Sequence, residues 1–388
     1  MTAVTIIFWA LLLLLFHSYF GYGLLLWVIQ LFKRKEIFSI QQSLPKVAIV
    51  VAAYNEATIL EEKINNILSL SYPSHLTEII IVTDGSTDHS NKIVKQYLSV
   101  HLLFEPERKG KTHAINKAIE FTTAPYIIFT DANTLMNENA VENIVRHFSN
   151  KKVGAVSCEK KIIAFQVNEA ISNVESIYWK YESAMKQLES NVHSVIGAAG
   201  ELFCIKKELF VAFPDDTILD DFMLSAHVFK NNLRIVYEKN AFVTENPSRD
   251  LWEEAKRKIR IGAGAAQALV RLGFIPYKNL WLVFQYYSRR VIRWIVGPIA
   301  LPTLLILNII LVDYFHLHSI YHIFLIAQIV FYVWALLGWF LHLFIPRSTF
   351  ILVPFYFVFM NVCMLTGIIK QMLHKQTVHW HKASRNRL

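Results

Sequence analysis

Cysteine is scarce in this chain, and where the few residues fall excludes two classes at once. Cys158, Cys204 and Cys363 are the only three in 388 residues, far too widely spaced for a structural zinc knuckle and too few for a disulfide scaffold; they suit a reducing cytosol. Two glycine patterns are also missing. There is no G-x-G-x-x-G and no G-x-x-x-x-G-K-[ST], so the dinucleotide and P-loop readings lack their fingerprints. Internal repeats and low-complexity tracts are absent as well, which argues against solenoids and disordered linkers. No nucleic-acid-binding module can be read in the chain, and the net charge of +9 is better explained by basic residues facing anionic lipid.

Charge itself is missing from long stretches at both ends. Residues 4–32 contain no Asp, Glu, Lys or Arg and are followed by Lys33-Arg34-Lys35. That run exceeds the roughly 20 apolar residues needed to cross a bilayer. It is also about twice the apolar core of a signal peptide, with its basic residues on the wrong side. Three more apolar stretches follow at about 291–312, 320–344 and 350–369. The chain therefore divides into an N-terminal membrane helix (1–35), a mixed-composition domain (36–276), an interfacial helix with about three membrane segments (277–375), and a basic tail (376–388). Lys33, Arg34 and Lys35, with Arg289, Arg290 and Arg293, place the middle domain on the cytoplasmic side of a plasma (inner) membrane. The charge-poor loop 313–319 fits the opposite side. Four full crossings would put Lys375, Lys382, Arg385 and Arg387 outside, against the same rule; either the last segment does not cross or the tail is an exception.

The middle domain alternates short apolar runs with helical periodicities. Runs at 47–53, 79–83, 101–104 and 126–130 each stop in a polar cluster, and helical spacings at 59–68, 93–98 and 114–119 separate them. This is the pattern of an α/β fold with a doubly wound, mostly parallel sheet. Ligands of such sheets sit beyond the carboxyl ends of the strands. The clusters that gather there are Tyr54-Asn55-Glu56, Asp84-Gly85-Ser86-Thr87-Asp88, Arg108-Lys109-Gly110-Lys111 and Asp131-Ala132-Asn133. Taken singly, each has a plain reading as a helix cap, a solvated charge run or an Asx turn. Together they supply basic groups before a helix for a diphosphate. If 131–133 is extended, Asp131 and Asn133 also share one side for a hard divalent cation.

In this order, those clusters resemble the donor half of the family 2 glycosyltransferases of GT-A fold. The flanking membrane helices resemble the branch containing cellulose, chitin, hyaluronan and poly-N-acetylglucosamine synthases. The resemblance implies an inverting transfer of a sugar from a nucleotide diphosphate donor, with uridine as the expected base, to a growing polysaccharide or lipid-linked acceptor, aided by Mg²⁺ or Mn²⁺. It assigns Tyr54, Asn55, Glu56, Asp84, Lys109, Lys111 and Asp131 to the donor, and Asp131 with Asn133 to the metal. Gly200 and Glu201, in Gly197-Ala198-Ala199-Gly200-Glu201, fall on the acceptor side with Asp220. Asp221 takes the place of the catalytic base, where a positioned carboxylate receives the acceptor hydroxyl proton. Thirty-six positions further on, Arg257 and Arg260 stand where the synthases carry Q/R-x-x-R-W and are expected near the diphosphate. A literal R-x-x-R-W, Arg290 to Trp294, lies further downstream and reads as an interfacial anchor.

Three positions depart from the synthase pattern. Asn133 replaces a carboxylate, implying weaker metal affinity; Asp220 replaces a Glu; and Ile261 replaces the Trp that stacks on an acceptor sugar. The last change weakens the case for a polymer-forming enzyme. It leaves open a non-catalytic subunit of a synthase complex, and partner subunits of a synthase or export assembly are expected under either reading.

Overall fold

In the computed structural model of the chain, the described residues are 2–33, 43–162, 169–246, 251–273, 279–314, 319–341 and 349–375. Arg34, Lys35, most of the loop at 313–319 and the basic tail lie outside them. The four apolar runs form β1 (Val47–Ala53), β2 (Thr77–Asp84), β3 (Val100–Glu105) and β4 (Tyr126–Thr130). They pair in parallel in the order β3-β2-β1-β4. The sheet continues through β5 (Leu135–Met136), β6 (Val153–Ile162), β7 (Leu202–Lys206) and β8 (Arg234–Glu245) to eight strands ordered β3-β2-β1-β4-β7-β6-β8-β5. β7 is antiparallel to both β4 and β6, and β5 to β8, so the sheet is mixed rather than uniformly parallel.

The parallel half is covered on both faces, which is why its strands read as unbroken apolar runs. Alternate residues go to opposite cores: Ala48, Val50, Ile80 and Val82 to one, Val47, Ile49, Ile79 and Ile81 to the other. The helices that follow β1 and β3 supply Leu60, Ile64 and Ile67, and Ala114, Ile115 and Ala118. Cys158 and Cys204 lie buried as free thiols in the second core.

Four helices are long and apolar enough to cross a membrane: Thr2–Leu31, Leu280–Asp313, Ser319–Leu341 and Phe350–Met372. These are the spans of a membrane protein. The second begins earlier than composition indicates, at Leu280. The amphipathic helix Leu251–Leu272 carries Arg257 and Arg260. It packs along the last apolar helix at backbone distance. A Cβ on Gly262 would lie 2.4 Å from the Met364 carbonyl oxygen, and one on Gly367 2.1 Å from that of Ile259. Two glycines thus clamp a membrane helix directly to the middle domain.

Candidate active site

The first two polar strand ends are stitched together by their own side chains. Asn55 stands at φ 53°; its Oδ1 accepts from the Thr87 and Asp88 backbone N–H groups at 2.8 and 3.3 Å, and its own N–H donates to Ser86 Oγ. The Glu56 N–H donates to Ser90 Oγ. Asp88 accepts from the N–H groups of Ala57 and Ser90, so it caps a short helix and crosslinks two loops. Asp84, fully buried, accepts from the N–H groups of Lys109 and Gly110 at 2.7 and 2.8 Å. The carboxylate thereby shapes the loop that carries Lys109 and Lys111. Gly85 permits that approach: at φ +63°, any Cβ would strike the Arg108 backbone nitrogen at 2.6 Å. The Arg108 guanidinium lies over the Tyr54 ring, 3.7 Å from its centroid.

At the end of β4 the chain turns at once, so Asp131 and Asn133 are not on one side of an extended segment. The Asp131 carboxylate accepts from Lys111 Nζ at 2.7 Å. Burial disfavours the charge on Lys111, but Asp131, Asp220 and Asp221 outweigh it and hold the ammonium firmly protonated. Asn133 donates its amide to Glu245 at 2.8 Å, which directs its carbonyl oxygen away from that carboxylate. Beneath this turn Lys63, fully buried, donates to Thr130 Oγ1 and the Thr134 carbonyl. Burial lowers its pKa to about 7, with Asp131 pulling the other way. Among the described residues no cluster of three or more His, Cys, Asp or Glu could hold a metal unaided. The donor set nevertheless fits a hard cation that takes one or two protein oxygens and completes its shell with phosphate and water, and the Lys111 ammonium already places positive charge on Asp131.

The acceptor-side residues meet this cluster directly. Asp220 and Asp221 open the helix Asp220–Lys230. A Cβ on Gly200 would lie 3.3 Å from Asp221 Oδ2, so the small residue lets the loop close on the carboxylate. Burial and the Asp220 charge raise the Asp221 pKa to about 6, against the pull of Lys111. Glu201 pairs with Lys160 at 2.7 Å, and the same ammonium reaches Glu245. Although burial disfavours its charge, Lys160 keeps Glu201 well below the usual carboxylate range. An unbroken chain thus runs from Asn133 through Glu245 and Lys160 to Glu201, joining the two halves of the site. Neither Lys160 nor Glu245 belongs to a recognisable motif.

The arginines exchange the parts expected of them. Arg257 is bound to Glu175 at 3.0 Å and Glu254 at 2.6 Å, and Arg260 donates to the Ile218 carbonyl at 3.0 Å. Arg260 therefore steadies the segment that delivers Asp220 and Asp221. The stretch from Arg290 to Trp294 is no surface anchor. Arg290 donates to the Ile196 and Gly197 carbonyls, and Trp294 packs edge-on against Phe222, the residue after Asp221. Arg293 is paired with Glu182 at 2.7 Å. Arg290, Arg293 and Trp294 line one cavity of about 610 Å³ together with Asp221, Glu201 and Arg257. Counting residues from Asp221 hid them; the helix that begins at 280 folds back onto the loop 196–200.

A mixed sheet with carboxylates, lysines and glycines gathered at its strand ends, beside a membrane cavity, defines the class, and comparison with known families agrees. The model described as glycosyl transferase family 2 matches residues 48–200. That described as glycosyl transferase family group 2 matches residues 126–366, more than half of the chain. The chain belongs to the family 2 glycosyltransferases, on the synthase branch. It is 25% identical over 301 residues to a poly-β-1,6-N-acetyl-D-glucosamine synthase of Staphylococcus epidermidis, covering 74% of this chain and 71% of the relative. It is also 25% identical over 244 residues to the same synthase of Staphylococcus aureus, covering 60% and 58%. A mannosyltransferase from Pyrobaculum calidifontis, solved with GDP-mannose and Mn²⁺, shares the fold with TM-score 0.69, at 23% identity over 95% of this chain and 99% of that one.

Proposed function

We propose that this enzyme carries out inverting transfer of a sugar from a nucleotide diphosphate donor to a hydroxyl of a membrane-borne acceptor, on the cytoplasmic face of the inner membrane. One observation carries the reading. Lys111 is hydrogen-bonded to Asp131 and lies within electrostatic reach of Asp220 and Asp221, so diphosphate-side and acceptor-side groups share one small volume. The new bond forms between the acceptor oxygen and sugar C1 as the bond from C1 to the phosphate oxygen breaks, its electron pair leaving with the nucleoside diphosphate. Asp221 takes the hydroxyl proton, a role helped by a pKa raised towards the working pH. Lys109 and Lys111 meet the leaving charge. Asp131 and Asn133 would hold a divalent cation, Mg²⁺ or Mn²⁺, which when bound neutralises the diphosphate.

Tyr54 and Arg108 are assigned to the base of the nucleotide, whose stacking face suits an aromatic or guanidinium plane. Arg257 and Arg260 stay close to the acceptor end but act by holding neighbouring segments. The mannosyltransferase with bound GDP-mannose and the N-acetylglucosamine polymer synthases support the donor class without fixing which nucleotide sugar is used. The test is nucleotide release by the purified chain across a panel of UDP-, GDP- and dTDP-sugars with its membranes supplied. One donor should be turned over, and EDTA should abolish turnover until Mg²⁺ or Mn²⁺ is restored. No release from any donor would reject the assignment.

A further inference from the structure

The cavity beside Asp221 has walls of different chemistry. Asp221, Glu201 and the loop residue Ala198 line it from the soluble domain, and Phe20 of the first membrane helix with Val353, Phe357 and Met360 of the last line it from the membrane helices. The few polar groups on the membrane-helix wall are satisfied by the protein itself. Tyr19 donates to Asn361 Oδ1 at 2.8 Å, and the Asn361 amide donates to the Phe357 carbonyl at 2.8 Å. A saccharide strand there would leave its hydroxyls desolvated without partners, which costs free energy at every ring. An apolar chain would not.

A pair of guanidinium groups lines the same cavity. Arg290 sits 5.5 Å from the Phe222 ring, beside the base, and Arg293 sits 5.7 Å from the Tyr19 ring, on the first membrane helix. Among the described residues Arg290 has no carboxylate within ion-pairing distance, and its hydrogen bonds go to two backbone carbonyls. Arg293 Nη1, Arg257 Nε and Trp179 Nε1 are buried without a hydrogen-bond partner, and all three residues line the cavity. Gly197, at φ +97°, makes room for the cation, since a Cβ there would lie 2.4 Å from Arg290 Nη2. Arg290 and Arg293 thus present two guanidinium groups on the cavity wall, the planar donors that a phosphate group accepts from.

We infer that the acceptor is a saccharide carried on a lipid through phosphate. Its tail lies between the first and last membrane helices, its phosphate at Arg290 and Arg293, and its hydroxyl at Asp221. This rests on the glycosyl-transfer reading above and names the acceptor class that it left open. The step balances as written there, because the lipid phosphate only anchors the acceptor and is not itself attacked.

The test uses the full chain in nanodiscs with its own donor and three acceptor sets carrying the same monosaccharides: linked to farnesyl through diphosphate, linked to an uncharged octyl chain, and free oligosaccharides. One sugar should be added to the diphosphate-linked set at far lower KM than to the others. Arg290→Gln should raise that KM tenfold or more, the scale of a lost charge-assisted hydrogen bond, and Arg290→Lys, which keeps the charge, should recover most of the loss. Nucleotide binding to the variant controls for folding. Met360→Trp, filling the apolar side, should weaken the farnesyl acceptors and spare free oligosaccharides. A polymer ladder on free oligosaccharide, equal KM across the sets, or donor turnover with no sugar reaching the farnesyl acceptors would overturn the inference and leave glycosyl transfer standing. Absence of turnover with any donor would instead sink the transfer reading beneath it.

Discussion

The donor half and the acceptor half of this site are held by different forces. Around Tyr54, Asp84 and Lys109 the structure is fixed by hydrogen bonds that backbone N–H groups donate to short polar side chains, between loops that each follow their own strand. Around Asp221 and Arg290 it is fixed by buried ion pairs and by glycines that admit a neighbour's atoms. The first kind of construction ties neighbouring strand ends to one another through single polar side chains. The second joins different elements, as where Arg290 reaches the Gly197 carbonyl 93 positions away, and fails if one partner is lost. A site built this way can keep its nucleotide machinery constant while its acceptor side changes with the membrane helices.

The sharpest way to break the comparison is at the contact between the halves. Asp221→Asn should lower kcat by about 10²–10⁴-fold, the usual worth of a general base, with donor-nucleotide affinity within about twofold of the parent by calorimetry. The same substitution should raise the thermal midpoint at pH 7–8. The folded-state pKa of about 6 lies above that of an unfolded aspartate, so ionisation works against folding above pH 6, and the penalty vanishes as pH falls below about 4. A variant that turns over like the parent would remove Asp221 from the role of base.

Lys160→Met comes next. It takes the ammonium away from Glu245, whose side chain is 1% exposed, and from Glu201. Breaking a buried pair by removing one partner costs about 3–5 kcal/mol, read as a large fall in thermal midpoint in detergent. Pairing it with Glu245→Gln should recover part of that loss, because the two changes share one interaction. Simple additivity would show that the chain from Asn133 to Glu201 does not act as a unit. Gly262→Ala probes the other kind of acceptor-side joint. A methyl group 2.4 Å from a carbonyl oxygen must push the last helix away, at about 1–3 kcal/mol, with protease sensitivity rising near the helix Phe350–Met372 and nucleotide binding spared.

How much of this was legible in the chain follows the same division. β1 to β4 were readable because a strand buried on both faces is a continuous apolar run, and because each run ends in residues that favour turns. Asp221, Gly200 and Glu201 were found by resemblance, and the structure places them together. What could not be read was how side chains are spent. That the Asp84 oxygens accept from two backbone N–H groups is visible only in the fold. So is the turn between Asp131 and Asn133, where composition alone allowed an extended segment. Arg257 and Arg260 hold the expected positions, yet their guanidinium groups are taken by Glu175, Glu254 and a carbonyl. Arg290 to Trp294 carries the literal pattern and was set aside on linear distance, which says nothing about a helix that folds back.

The smallest expected effect is the most specific one. Asp220 lies beside Asp221, and its charge is the second cause of the raised pKa after burial. Asp220→Asn removes that repulsion, so Asp221 should give up its proton more readily, and the acid limb of kcat/KM, expected near pH 6, should move down by about one pH unit. Activity at pH 7 and above should hardly change, since Asp221 is ionised there in both forms. The direction matters more than the size. A limb that stays in place would mean that Asp220 is screened by Lys111 and that burial alone tunes the base; a limb that moves upward would mean that another group titrates, and the assignment of Asp221 would have to be given up. The same profile measured on a donor-side change, Tyr54→Phe, should not shift at all, because nothing in the strand-end cluster around Tyr54 touches the acid pair.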